Sequence, residues 1–351
     1  MTPPAAEALL GVVGFLRASC DGLGLALLAV SAVLSGQESP PAEPAATRIV
    51  FHESPVVDLH FYVRAVAAGG RASGIEAFAP AVAAAQELHR ALGRNTLAWG
   101  ALEGLLPGCQ SAADLAAAFG RAPETLELRG GGKVALRDGA SKLAQALVQA
   151  EPAFQELWKE HVQRTRAARA RWAESVGPKE AELLAFHLAS LGMSDPRLAI
   201  PVFLVAEAPW PGAVTHLDDQ GRGVCFVGME GTEGSQLHET VLHEVTHALD
   251  VAAGDASVLG ELRKRLTAAG LTPRDPALRD VPHTLMFVQA AESVRRTVAP
   301  DHQDYGVVSA YYAREPTAEL VRGFWTDHLA GKLTREEALD GIVTGVEPPP
   351  K

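Results

Sequence analysis

The sequence predicts an α+β fold that is predominantly helical, and three observations carry that prediction. Between His52 and Gly192, apolar residues recur at three- and four-residue intervals, the period of helices with one buried face. Just beyond, three short apolar runs at 199–206 (AIPVFLVA), 213–216 and 223–227 surround the polar turn 218–221, and they read as strands of a small sheet. From Ser235 onward helical spacing returns. The content, 47% hydrophobic and 21% charged, is that of a chain able to bury a core. A net charge of −11, with no Lys/Arg stripe, argues against a nucleic-acid partner.

Along the chain, residues 1–47 are expected to be an export leader and a Pro-rich linker. The apolar run 23–35 follows Arg17, is too short to span a bilayer, and precedes the segment QESPPAEPAA. The mature protein would then be periplasmic or extracellular, with no membrane span. The alternative is an Ala/Leu-rich helix packed on the body of a cytoplasmic protein. A helical lobe is expected over 48–193, with helices at 75–92, 113–119, 141–172 and 179–191. Ser73 and Ser111 are placed to cap helix starts, and Gly93, Gly120 and Gly192 to stop helices. A metal-binding lobe is expected over 194–351, with the sheet first and helices at 236–253, 256–269, about 283–298, 317–329 and 335–343 after it. Of the three cysteines, Cys20 would leave with the leader. Cys109 and Cys225 would then be either one disulfide or two buried thiols.

The chemistry sits in residues 238–250, HETVLHEVTHALD. A helix puts His243 and His247 one turn apart on one face, so both imidazoles can share one ion. Glu244 lies one position round, where it can reach a water on that ion without ligating it, as the general base of metal-assisted hydrolysis must. Two imidazoles, a carboxylate and an open position suit Zn2+.

This HExxH helix resembles the active-site helix of the zincin metallopeptidases, in the gluzincin branch, where a downstream glutamate is the third ligand. The metzincin pattern HExxHxxGxxH is absent after His247. The segments 282–296 (PHTLMFVQAAESVRR) and 51–64 (FHESPVVDLHFYVR) also resemble a group of bacterial zinc metalloproteins with no assigned substrate. The resemblance implies a zincin-like catalytic lobe whose third ligand is Glu292, with Glu319, in YAREPTAELVRGFW, as the competing candidate. The Asp that usually follows the ligand glutamate is missing here, and Asp250 is the substitute expected to bond a ligand imidazole. Gluzincins also carry a His or Tyr that stabilises the oxyanion. His283 and Tyr305 are favoured for that role over Tyr311 and Tyr312. His52, His60 and Asp58 are expected to line the cleft or sit in the core.

The expected activity is therefore peptide-bond hydrolysis by a zinc-activated water, with Glu244 as general base and an extended peptide pairing with one of the strands beside the metal helix. Two other readings stay open: a non-catalytic zinc-binding protein, and a metal hydrolase of non-peptide esters or amides.

Overall fold

A computed structural model describes residues 46–69, 74–93, 96–127, 132–230, 232–272 and 275–346. The expected leader, nearly all of the linker, and the Ser73 cap lie outside the described residues.

The chain enters on strand β1 (Arg48–His52) and continues through helices α1 (Pro55–Gly69), α2 (Ala79–Leu92), α3 (Thr96–Glu103) and α4 (Ala112–Gly120). A short hairpin, β2 (Thr125–Glu127) and β3 (Lys133–Ala135), leads into the 39-residue helix α5 (Arg137–Ser175), followed by α6 (Glu180–Ser190). Strands β4 (Ala199–Val205), β5 (Ala213–Leu217) and β6 (Gly223–Gly228) come next. Helices α7 (Ser235–Ala253), α8 (Val258–Ala268), α9 (Pro276–Thr297), α10 (Tyr305–Val308), α11 (Tyr311–Arg314), α12 (Ala318–Leu329) and α13 (Arg335–Gly345) complete the chain. No helix among the described residues is long and apolar enough to cross a membrane.

Local chemistry explains several boundaries. The Ser111 side chain accepts the Asp114 N–H at the start of α4, as its position before an apolar run predicts. Gly254 ends α7 at φ 56°, a conformation that a Cβ would strain, and its N–H caps the Asp250 carbonyl. Helix α9 begins seven residues before the expected start at His283, because Pro276 is acceptable in a first turn.

The sheet order is β1-β4-β6-β5, with β1, β4 and β6 parallel and β5 antiparallel at the outer edge. Period-2 alternation assigns its two faces. Ile200, Val202 and Leu204 of β4, with Cys225 and Val227 of β6, pack with α6, α7, α9 and the helices after them. Phe203, Val205, Val224 and Phe226 face the other way and pack with α1, α2, α4 and α5. The sheet is thus a wall between two cores, one built mostly by the first half of the chain and one holding the metal-motif helix.

Two features were not anticipated. The hairpin β2–β3 falls between the helices expected at 113–119 and 141–172, in a lobe expected to be helical. Strand β1, from the expected helical lobe, pairs with β4 over the whole register Arg48↔Ala199 to His52↔Phe203. The change of pattern near residue 193 therefore falls between strands of one sheet, and all described residues belong to one unit, Glu43–Lys351. Cys109 and Cys225 are both buried free thiols, which resolves the open alternative against a disulfide.

Candidate metal centre

Helix α7 follows β6 directly and lies along its face. Gly223, at the start of β6, makes the close approach possible: a Cβ there would stand 2.5 Å from Ala248 Cβ and 2.6 Å from Ala248 Cα. Leu242, Val245 and Leu249 anchor α7 in the core, which turns His243 and His247 toward α9.

There they meet His283. The ring centroids of His243 and His247 are 4.9 Å apart, those of His243 and His283 4.9 Å, and those of His247 and His283 5.5 Å. His243 Nε2 faces His283 Nε2 at 3.1 Å. One ligand nitrogen from each ring lies within 4.8 Å of the other two, and among the described residues this is the group that could hold a metal ion. Burial favours the neutral form of all three rings, in which each keeps one nitrogen lone pair. It pushes His243 well below the ordinary histidine value, His247 down to about 3 and His283 down to about 4.

The third position therefore goes to His283, expected as an oxyanion donor, and not to Glu292. The reason is helical geometry. Nine residues on one helix advance about 13.5 Å and turn through about half a circle, so Glu292 leaves α9 on the side opposite His283. It pairs there with Arg295. The competing Glu319 is exposed on α12 and pairs with Arg322 at 3.0 Å. No glutamate among the described residues joins the cluster. Asp250, expected to orient a ligand ring, instead accepts from Ser257 Oγ at 2.5 Å and Arg263 at 2.6 Å, securing the end of α7.

Glu244 is buried, and burial pushes its carboxyl up to about 8, opposed by a hydrogen bond from Thr215. Thr215 Oγ1 stands 2.7 Å from Glu244 Oε2. Glu244 Oε1 has no hydrogen-bond partner among the described residues. Thr215 pairs with Cys225 across the β5–β6 ladder, so it faces α7, and its neighbour His216 faces the other side, where Glu103 accepts from it at 2.8 Å.

Aromatic rings surround the imidazoles. Phe287, one turn after His283 on α9, stacks on His243 at 4.0 Å. Tyr305 stacks on Phe287 at 6.2 Å, and its backbone N–H donates to buried Glu239. Tyr311 lies 6.1 Å from His283, with its hydroxyl 3.0 Å from Thr284 Oγ1. Thr284 donates to the Asp280 carbonyl, so Tyr311 must be the donor in that pair.

Of His52, His60 and Asp58, expected to line the cleft or sit in the core, His60 and Asp58 are buried and His52 is exposed. His52 stacks on Phe203, His60 bonds Glu103 at 3.0 Å, and Asp58 holds His161 at 2.8 Å and the Ala206 N–H at 2.8 Å. Thr215 and Phe287 escaped sequence reasoning. Phe287 carried a signal, since position i+4 from His283 shares its helix face. Thr215 carried none, because its partner becomes apparent only with the strand register.

Comparison with family models, with curated proteins and with solved structures finds no match for this chain.

Proposed function

We propose that this protein is a zinc-dependent hydrolase that cleaves peptide bonds, with His243, His247 and His283 holding the metal and Glu244 as general base. The observation that carries the reading is the setting of Glu244. A buried carboxylate one residue from a ligand, with a raised proton affinity and one free oxygen, is costly to keep in a purely structural metal site.

Three neutral nitrogens converging from two helices fit the ligand chemistry of zinc, whose Zn–N bonds of about 2.0–2.1 Å suit rings this close. When bound, zinc supplies Lewis acidity toward a water and a substrate carbonyl. The chain's own groups do the rest. Thr215 occupies Glu244 Oε2, which leaves Oε1 to take up a proton and return it to the departing amine. With His283 assigned to the metal, the Tyr305 hydroxyl is the remaining favoured donor for a developing oxyanion, and its own hydrogen-bonding capacity is not used within the described residues. Strand β5 is one of the two edge strands, and no described strand pairs with its far edge. Its backbone groups suit an extended peptide, which favours a peptide substrate over a compact ester.

The test combines elemental analysis with a peptide library digest. The expected result is about one zinc per chain and cleavage by wild type, with Glu244→Gln keeping the zinc and losing the cleavage. Wild type that takes up no zinc after reconstitution would overturn the reading. Glu244→Gln with undiminished cleavage would remove the general-base assignment.

A further inference from the structure

Behind the metal helix, a single line of buried polar side chains crosses four helices. Trp325 Nε1 on α12 donates to Gln289 Oε1 on α9 at 2.9 Å, and Gln289 Nε2 donates to Ser293 Oγ at 3.0 Å. Ser293 Oγ lies 3.0 Å from His187 Nδ1 on α6, and His187 Nε2 lies 2.8 Å from Thr246 Oγ1 on α7. Thr246 Oγ1 donates to the Leu242 carbonyl at 2.7 Å. All five side chains are fully buried.

The two hydroxyls that flank the imidazole are each pinned to their own helix: Thr246 Oγ1 donates to the Leu242 carbonyl of α7 at 2.7 Å, and Ser293 Oγ donates to the Gln289 carbonyl of α9 at 2.8 Å. His187 bridges the two across the interface. Burial lowers the proton affinity of its ring.

Five polar groups are expensive to bury, and an apolar core of the same shape would hold the helices together as well. What apolar contact does not set is the rotation of one helix about its own axis. His187 bonds Thr246, which stands between the two ligands of α7, and Ser293, on the helix that carries His283. We infer that His187 is a positioning residue for the three-histidine site. It locks α9 against α7 so that His283 faces His243 and His247. This rests on the metal reading above.

The experiment measures zinc affinity by competition with a chromogenic chelator, and the visible spectrum of the cobalt-loaded full chain. It uses wild type, Thr246→Val, Thr246→Ser and Ser293→Ala, with thermal midpoints of the apo forms alongside. Thr246→Val keeps the shape and removes the hydroxyl. It should weaken zinc binding about 10–100-fold and shift the cobalt bands, as should Ser293→Ala, whereas Thr246→Ser stays near wild type. Val and Ala variants that bind zinc as wild type does, with only a lowered midpoint, would make the line purely structural and overturn the inference alone. Wild type without zinc affinity would overturn the metal reading and this inference with it.

Discussion

The Thr215 hydroxyl stands 2.7 Å from the Glu244 carboxyl Oε2 and 2.9 Å from the backbone carbonyl of the same residue, and its single proton is shared between the two. One hydroxyl thus links an edge strand of the sheet to Glu244, the proposed general base, and to the helix that carries it.

Removing that tie should cost turnover more than binding. A hydrogen bond to a charged group contributes about 1.5–3 kcal/mol, or roughly 10–100-fold in rate. Thr215→Val is expected to lower kcat by that factor with little change in KM, and Thr215→Ser to restore most of it. Steady-state kinetics on one peptide decides the matter, and an unchanged kcat for Thr215→Val would free Glu244 from dependence on the strand.

The ligand set is tested by metal content. His283→Ala should lose zinc, while Glu292→Ala and Glu319→Ala keep it, because those carboxylates are engaged with Arg295 and Arg322. Retention by His283→Ala with loss in Glu292→Ala would restore the glutamate assignment.

Acid should weaken the apo fold in a way that His187 contributes to. Its ordinary value is 6.5, and burial holds it at about 3 in the folded chain. Above about pH 6.5 neither state is protonated and the group has no effect. As pH falls from about 6.5 toward 3, only the unfolded chain takes up the proton, so native stability drops by up to about 1.4 kcal/mol per pH unit. Urea unfolding of apo wild type and His187→Gln at several pH values should show the difference between them shrinking on acidification. Parallel curves would refute the buried neutral ring.

The contact between β6 and α7 admits no methyl group. Gly223→Ala would place Cβ 2.5 Å from Ala248 Cβ, so either strand or helix must shift. A loss of roughly 1–3 kcal/mol in denaturant titration is expected, against little change for Gly120→Ala, whose Cβ meets nothing within 4 Å. Equal midpoints for the two variants would mean that α7 can move away freely.

Much of this was legible in the sequence, for identifiable reasons. Helix α7 announces itself by apolar spacing and by HExxH, and the strands β4 and β6 by apolar runs that alternate between two cores. Glu292, weighed by its setting and not by its angle, does not join the histidine cluster. His283 and Glu292 share a helix nine residues apart, so they cannot face one ion, and that argument needed only the sequence. The rest depended on tertiary pairing. Thr215 acquires its role from its register with Cys225, and His187 acquires its role from helices distant in sequence. Strand β1 was missed because five residues beside a polar linker carry little periodic signal.

That strand governs how the gene can be cut. β1 covers the edge of β4 with a partner roughly 150 positions earlier in the chain. A truncation at 193/194, following the change of sequence pattern, would leave β4 with a row of open N–H and C=O groups. It would also uncover Phe203, Val205, Val224 and Phe226, the sheet face that the first half covers. Such a fragment contains all three histidines of the cluster and Glu244, yet an open strand edge beside a bare aromatic face is a template for self-association. Expressed alone, it would be recovered as aggregate.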